Sequence, residues 1–387
     1  MYYKIKKVIY CTIIAILVSS FYNVEAQRRP PQPPPRIGAI LSRSGLAAFL
    51  GEQQTNAIKL ALEEINASGG IDGHPLEVLF FDDQSRPAEA IAISRRLFAE
   101  NIWGVIGPSL SATSFALVDL FENERIPLIS LALNEKITTE NLKWSFEISP
   151  PPILLVKKIY RHLSTAGGKD IGIMTSISPS GMYFKNQLDK LAPEFGIKVI
   201  EKIEYNPRKK DITPEMLRLQ QVKANAIINL ALEPSQFFVA QAWKSLRLDI
   251  PLYQHPTVWD FFQEKYPIDG VVFPSLKLAI ADRLPNADPQ KKVILSYKKA
   301  YQSRFGKEPT LFGGFARDAV YMFADSSKYI IRNRGDLDMA RDFLENSIKE
   351  WIGVTGIYNI SPAYHNGFSE KSLEFVMVEK GSLKVLK

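Results

Sequence analysis

The sequence predicts an α/β protein of two doubly wound parallel-sheet lobes joined by a multi-strand hinge. Three observations carry that expectation. Short apolar runs alternate with helical stretches from Arg36 onward. Pro150-Pro151-Pro152 breaks the alternation, and a second series of the same kind follows it. Helical stretches without strands between them then precede a C-terminal hairpin.

The first unit runs from Arg36 to Asp83: RIGAIL, the helix TNAIKLALEEINASGGIDG and the strand LEVLFFDD. Ile58, Ala61, Leu62 and Ile65 share one helical face, while Lys59, Glu63 and Glu64 point away. Gly69 and Gly70 permit the left-handed turn that ends the helix, and Pro75 prevents its return. The first loop, Ser42 to Gly51, is longer than a plain turn needs and opens where ligands settle in such sheets. WGVIGPS (103–109), a helix over 112–123, IPLISLAL (126–133) and SFEIS (145–149) continue the pattern. Beyond the prolines come KDIGIMTS (169–176), a helix over 185–195, KVIEKIEY (198–205), a helix near 214–223, AIINLAL (226–232), a helix over 236–246, IPLYQH (250–255) and GVVFPS (270–275). Helices over 290–305, 315–332 and 338–349 complete an existing lobe, and Lys380-Gly381 turns a terminal hairpin. Lobe 1 is expected to take residues 36–149 and 276–353, and lobe 2 residues 150–275 and 354–387. A cleft between them would close by hinge motion around a ligand.

Residues 1–26 read as a cleaved secretory signal: Lys4, Lys6 and Lys7, an apolar run from Val8 to Tyr22, then Val24-Glu25-Ala26 with small residues where a signal peptidase reads. The run is broken by Thr12, Ser19 and Ser20 and falls short of the about 20 apolar residues of a comfortable span; an uncleaved anchor is the alternative. Residues 27–35, QRRPPQPPP, form an extended Pro-rich spacer. The only cysteine, Cys11, leaves with the signal, so the exported protein relies on its core rather than on disulfides. Five of the seven net positive charges sit at or before Arg36, which leaves a nearly neutral body and no case for nucleic acid.

Five segments together resemble the type I periplasmic binding proteins, in the branch of the leucine/isoleucine/valine-binding protein of ABC transporters: IGAILSRSGLAAFLG, EEINASGGIDG, FDDQSRPAEAI, VIGPSLSATS and IPLISLAL. The resemblance covers residues 36–387 and implies the type I periplasmic binding protein fold, a small-molecule ligand and an ABC permease as partner.

Asp83 or Ser85 is expected to cap the helix that Pro87 begins. Ser111-Ala112-Thr113 stands where a strand ends and a helix starts, so backbone N–H groups and two hydroxyls converge on the cleft and suit a carboxylate or other acceptor. By the resemblance, Ser111 and Thr113 are ligand residues, Leu133 and Asn134 occupy a position of backbone and hydroxyl contacts, and Leu50 replaces an aromatic lid residue of the amino-acid binders. The second lobe departs from that branch. Ser176 and Ser180-Gly181 stand where an Asp and a Tyr-Gly are typical, and Leu232 and Pro256 where a tyrosine and an ammonium-pairing acid are typical. Glu233 is the one nearby acid. A buried ammonium without a counter-charge is costly, so the expected ligand is a small carboxylate, or an uncharged polar molecule with an apolar part, lined by Leu50, Leu133, Met182, Tyr183 and Leu232. His255, at a strand end facing the cleft, is a candidate donor.

His74, His162, His255 and His365 are scattered without metal-ligand spacing, and no phosphate loop, nucleophile elbow or cysteine nucleophile is present. No metal, cofactor or catalysis is expected. Trp243, Trp259, Phe261 and Phe262 are either core or an exposed patch for a permease or sensor kinase. Two functions remain: a monomeric periplasmic solute receptor that delivers its ligand to an ABC permease, or a ligand-sensing module for a signalling partner.

Overall fold

The structure, a computed structural model, describes residues 34–133, 135–138, 142–231, 235–262 and 268–386. The expected signal peptide and nearly all of the spacer lie outside them. So do three candidate ligand residues, Asn134, Leu232 and Glu233.

The first sheet is parallel throughout: β1 (Arg36–Leu41), β2 (Glu77–Asp82), β3 (Val105–Ile106), β4 (Leu128–Ser130) and β5 (Ser145–Glu147) lie in the order β2-β1-β3-β4-β5. Its connections are α1 (Ala48–Ala67), α2 (Pro87–Leu97) and α3 (Ser111–Glu124). The order reverses between β1 and β3, which opens a crevice at the carboxyl ends of those strands.

The second sheet contains β6 (Asp170–Ser176), β7 (Lys198–Tyr205), β8 (Ala226–Asn229), β9 (Leu252–Gln254), β10 (Val272–Leu276), β13 (Leu373–Glu379) and β14 (Ser382–Val385). Their order is β14-β13-β10-β9-β8-β6-β7, with the reversal between β6 and β8. The sheet is wound by α4 (Pro152–Thr165), α5 (Pro179–Leu191), α6 (Thr213–Gln221), α7 (Ser235–Ser245) and α8 (Thr257–Phe262). The terminal hairpin forms as the pattern predicts, with Lys380 (φ 51°) and Gly381 (φ 68°) in the left-handed region that its two-residue turn requires. What alternation does not reveal is that this hairpin extends the second sheet, β13 pairing antiparallel with β10 from Val272↔Met377 to Leu276↔Leu373. The helix expected over 185–195 starts earlier, at Pro179, because Ser178 caps it by accepting from Gly181 N–H at 3.1 Å.

After β10 the chain forms α9 (Lys291–Phe305), α10 (Leu311–Asn333) and α11 (Leu337–Ser347), and α10 packs along α1. A small ladder, β11 (Trp351–Ile352) with β12 (Ile357–Tyr358), follows. The buried Asp318 of α10 accepts from Val354 N–H (2.9 Å), Thr355 N–H (2.8 Å) and the Thr355 hydroxyl, while Tyr358 donates to Ile148 O at 2.9 Å. These bonds tie α10, the β11–β12 turn and the end of β5 into one joint.

Two glycines set the depth at which helices meet strands. A Cβ on Gly51 would lie 2.1 Å from Ser42 O, and one on Gly181 would lie 2.2 Å from Ser176 O. Each sits in the first turn of the helix that follows a strand beside the order reversal, so each lets its helix N-terminus close down on the strand end.

Candidate functional site

A cavity of about 1130 Å³ lies outside the carboxyl ends of both sheets. From the first sheet, α3 contributes Ser111 and Phe115. From the second, α5 contributes Ser180, Tyr183 and Phe184, the residue after β9 is His255, and α8 contributes Thr257 and Trp259. Pro150 and Pro152 come from the start of α4 and the residues before it, and Ser275, Leu276 and Leu373 from the paired ends of β10 and β13. A further wall comes from Lys307–Leu311 and Phe315, at and beyond the joint between α9 and α10.

Five sequence-predicted residues therefore meet here: Ser111, Leu133, Ser180, Tyr183 and His255. The N-cap of α3 is Leu110, whose side chain makes no cap bond, so the first N–H groups of that helix are left without a side-chain cap next to the Ser111 hydroxyl. In α5 the corresponding donors are partly used by Ser178, whose hydroxyl lies 2.7 Å from that of Ser176 and 3.1 Å from that of Ser180.

Four expectations do not hold. Thr113 is fully buried and its hydroxyl donates to Leu110 O at 3.0 Å, so it satisfies its own helix end rather than facing the cavity. Ala112 is exposed and outside the wall. Met182 is half-buried and also outside it, because one residue of helical rotation separates it from Tyr183. Leu50 belongs to the first turn of α1, not to a loop, and packs into the core at 7% exposure. Its neighbour Phe49 is the outward-facing residue there.

The loop before α1 forms no part of the cavity wall. Asp82 Oδ1 accepts from Arg43 N–H (2.9 Å) and Ser44 N–H (3.1 Å), Asp83 Oδ1 accepts from the Ser42 hydroxyl (2.7 Å), and Ser85 Oγ accepts from Ala47 N–H (3.0 Å). Burial works to raise the Asp82 pKa, but the Ser44 hydroxyl and the N–H groups of Gln84, Ser44 and Arg43 outweigh it and hold the carboxyl low. Asp83 and Ser85 are thereby occupied in binding the loop. Neither caps α2, whose N-cap is Arg86 without a side-chain bond.

His255 is 6% exposed, and its Nδ1 is bonded to Thr257. Desolvation lowers its pKa to about 3, so it is neutral at physiological pH. The charged side chains of the wall are Lys298, Lys307 and Glu308. Lys298 pairs with Glu308 at 3.3 Å and Asp282 at 3.7 Å, and Lys307 pairs with Glu52 at 3.0 Å. Trp259 belongs to the cavity wall, whereas Trp243 donates to Ile250 O at 2.7 Å; the side chains of Phe261 and Phe262 lie outside the described residues.

Sequence reasoning missed the Lys307–Leu311 wall. One signal was present: Gly313 and Gly314 inside a helical stretch, poor helix formers kept where backbones approach closely. A Cβ on Gly313 would meet Gln53 O of α1 at 3.1 Å, and one on Gly314 would meet Thr355 Cγ2 at 2.5 Å.

A family model described as "Periplasmic binding protein" matches residues 34–340. A Leu/Ile/Val-binding protein homolog 7 of Brucella abortus is 24% identical over 242 residues, 59% of this chain and 60% of that protein. The Leu/Ile/Val-binding protein of Escherichia coli K12 is 31% identical over 97 residues, 25% of this chain and 26% of that one. The chain thus spans about 60% of the length of the first of these curated relatives and less of the second. Among solved structures, an extracellular ligand-binding receptor from Rhodopseudomonas palustris HaA2 superposes with a TM-score of 0.76 at 23% identity, covering 92% of this chain and 100% of that one. A branched-chain amino acid transporter substrate binding protein from Streptococcus pneumoniae, solved with isoleucine, gives 0.71 at 22% identity, covering 92% and 99%. At these identities the likeness establishes a shared fold.

Proposed function

The chain belongs to the periplasmic binding protein family, and from that membership we propose that it is an exported solute receptor that closes its two lobes around a small organic acid, or a neutral polar molecule with an apolar body, and delivers it to an ABC permease. The observation that carries the ligand class is the charge inventory of the cavity. Among the described residues its wall holds one carboxylate, Glu308, and that group is already paired with Lys298. An α-ammonium enclosed here would lack a counter-charge, at a cost of several kcal/mol.

The remaining wall suits an acceptor on an apolar frame. Hydroxyls of Ser111 and Ser180 and the neutral His255 supply polar contacts, and Phe115, Tyr183, Phe184, Trp259 and Phe315 supply aromatic surface. The basic start, apolar run and small-residue site of residues 1–26 support export. Calorimetric titration with benzoate, short branched carboxylates, leucine and valine tests the ligand class. The acids are expected to bind and the amino acids to bind weakly; tight leucine or valine binding with no response to acids overturns it.

A further inference from the structure

We infer that Thr257 and Gln236 are positioning residues that hold His255 in one tautomer, with the proton on Nε2, so that this part of the wall accepts ligands offering a hydrogen-bond acceptor and disfavours ligands offering a donor. The inference rests on the cavity being the ligand site and adds to it the polarity of one wall.

The bonding pattern fixes the tautomer. Thr257 N–H points at His255 Nδ1 at 3.3 Å, and a backbone N–H can only donate. Nδ1 must therefore be the bare, accepting nitrogen. The Thr257 hydroxyl lies 2.9 Å from the same atom. Gln236 Nε2 donates to that hydroxyl oxygen at 3.0 Å, which directs the single hydroxyl proton onto Nδ1. Gln236 is itself held: Gln254 Nε2 donates to its backbone carbonyl at 2.6 Å and reaches Asn229 Oδ1 at 3.4 Å. Asn229, Gln236 and Gln254 are all fully buried, so the chain of bonds has no water to exchange with at the protein surface.

With both of the ring's hydrogen bonds among the described residues falling on Nδ1, and the residue in the cavity wall, Nε2–H is the group left for a ligand. Phe184, its ring centroid 5.6 Å away, limits rotation of the imidazole. The low pKa of the buried ring is consistent with the geometry, since a neutral ring keeps the bare Nδ1 that the two Thr257 bonds require. A donor wall of this kind costs an approaching ammonium or amide N–H an unmade bond, whereas a carboxylate or carbonyl oxygen completes it.

The test uses the full chain labelled with 15N-histidine, without ligand, followed by long-range 1H–15N correlation from pH 5.5 to 8, with His255→Gln to assign the resonance. The expected spectrum shows a protonated Nε2, a bare Nδ1 and no titration. Thr257→Val keeps the backbone N–H at 3.3 Å but removes the hydroxyl's bond to Nδ1, so the population protonated on Nδ1 should rise roughly 5-fold over wild type, and Thr257→Ser should return it to the wild-type level. Benzylamine, with the same ring and donors only, should bind wild type at least about 10-fold more weakly than benzoate, the size of one such bond. A wild-type ring protonated on Nδ1, a Thr257→Val spectrum with no rise in the form protonated on Nδ1, or a preference for benzylamine overturns the inference. Failure of both probes and of every compound in the panel above instead defeats the reading of the cavity as a ligand site, and the spectrum then decides the tautomer alone.

Discussion

Replacing His255 by Gln should flatten the acid limb of the protein's stability curve. The folded pKa of His255 is depressed to about 3 by desolvation. The ordinary unfolded value is about 6.5, so below that pH the unfolded chain binds a proton that the folded one refuses. Stability from this group is complete above the unfolded pKa and is lost as pH falls through the window from about 6.5 toward about 3. Between pH 7 and pH 5 the unfolded histidine goes from mostly neutral to almost wholly protonated while the folded ring stays neutral, which removes about 2 kcal/mol. The ring is 6% exposed and, among the described residues, hydrogen-bonded to Thr257, so solvent does little to screen the effect. His162 is shifted the same way, by desolvation first and then by Lys158, but it is present in both proteins and cancels in their difference. Gln keeps an amide oxygen able to accept from Thr257. Urea unfolding at pH 7, 6 and 5 measures the result, with wild type expected to lose about 2 kcal/mol more than His255→Gln across that range. Parallel pH profiles for the two proteins would refute the reasoning.

Three further outcomes are expected. Ser111→Ala should weaken benzoate binding with an unchanged melting temperature, whereas Thr113→Val should lower stability by about 1 kcal/mol through its lost bond to Leu110 O and leave affinity nearly intact; the reverse pattern in calorimetry and thermal melts would exchange their roles. Gly181→Ala places a Cβ 2.2 Å from Ser176 O, a backbone atom that cannot swing away, and should destabilise the second lobe by about 1–3 kcal/mol in urea unfolding; a neutral result would show that α5 is free to lift off the strand end. Asp318→Ala leaves the N–H groups of Val354 and Thr355 without their acceptor in a buried joint and should cost about 3 kcal/mol or more, with wild-type stability excluding that joint as a stabilising element.

Much of the fold was legible because its signals are local. Strand–helix alternation, the proline break at 150–152 and the Lys380-Gly381 turn each depend on residues within a few positions of one another. Ser111, Ser180 and His255 reach the cavity wall for the same reason: each follows a strand whose carboxyl end had to open on the crevice. Errors entered where the answer turned on one residue of helical phase. α1 begins at Ala48, so Leu50 rotates into the core and Phe49 outward; α5 turns Tyr183, not Met182, to the cavity. Thr113 failed differently, since its hydroxyl had a nearer acceptor in Leu110 O.

By itself, then, the sequence determined two wound sheets and the crevice at their carboxyl ends. Only the tertiary structure decided which side chains surround the cavity. The Lys307–Leu311 wall reaches it because α10 lies against α1, more than 240 residues away in the chain, and Leu373 reaches it because β13 pairs with β10 in the second sheet, about 100 residues away in the chain. His255 acquires its single tautomer from Thr257 and from Gln236, which another helix carries in. Periodicity records which face of an element is buried, but it does not record which distant element covers that face, and a cavity wall is made of those long-range encounters.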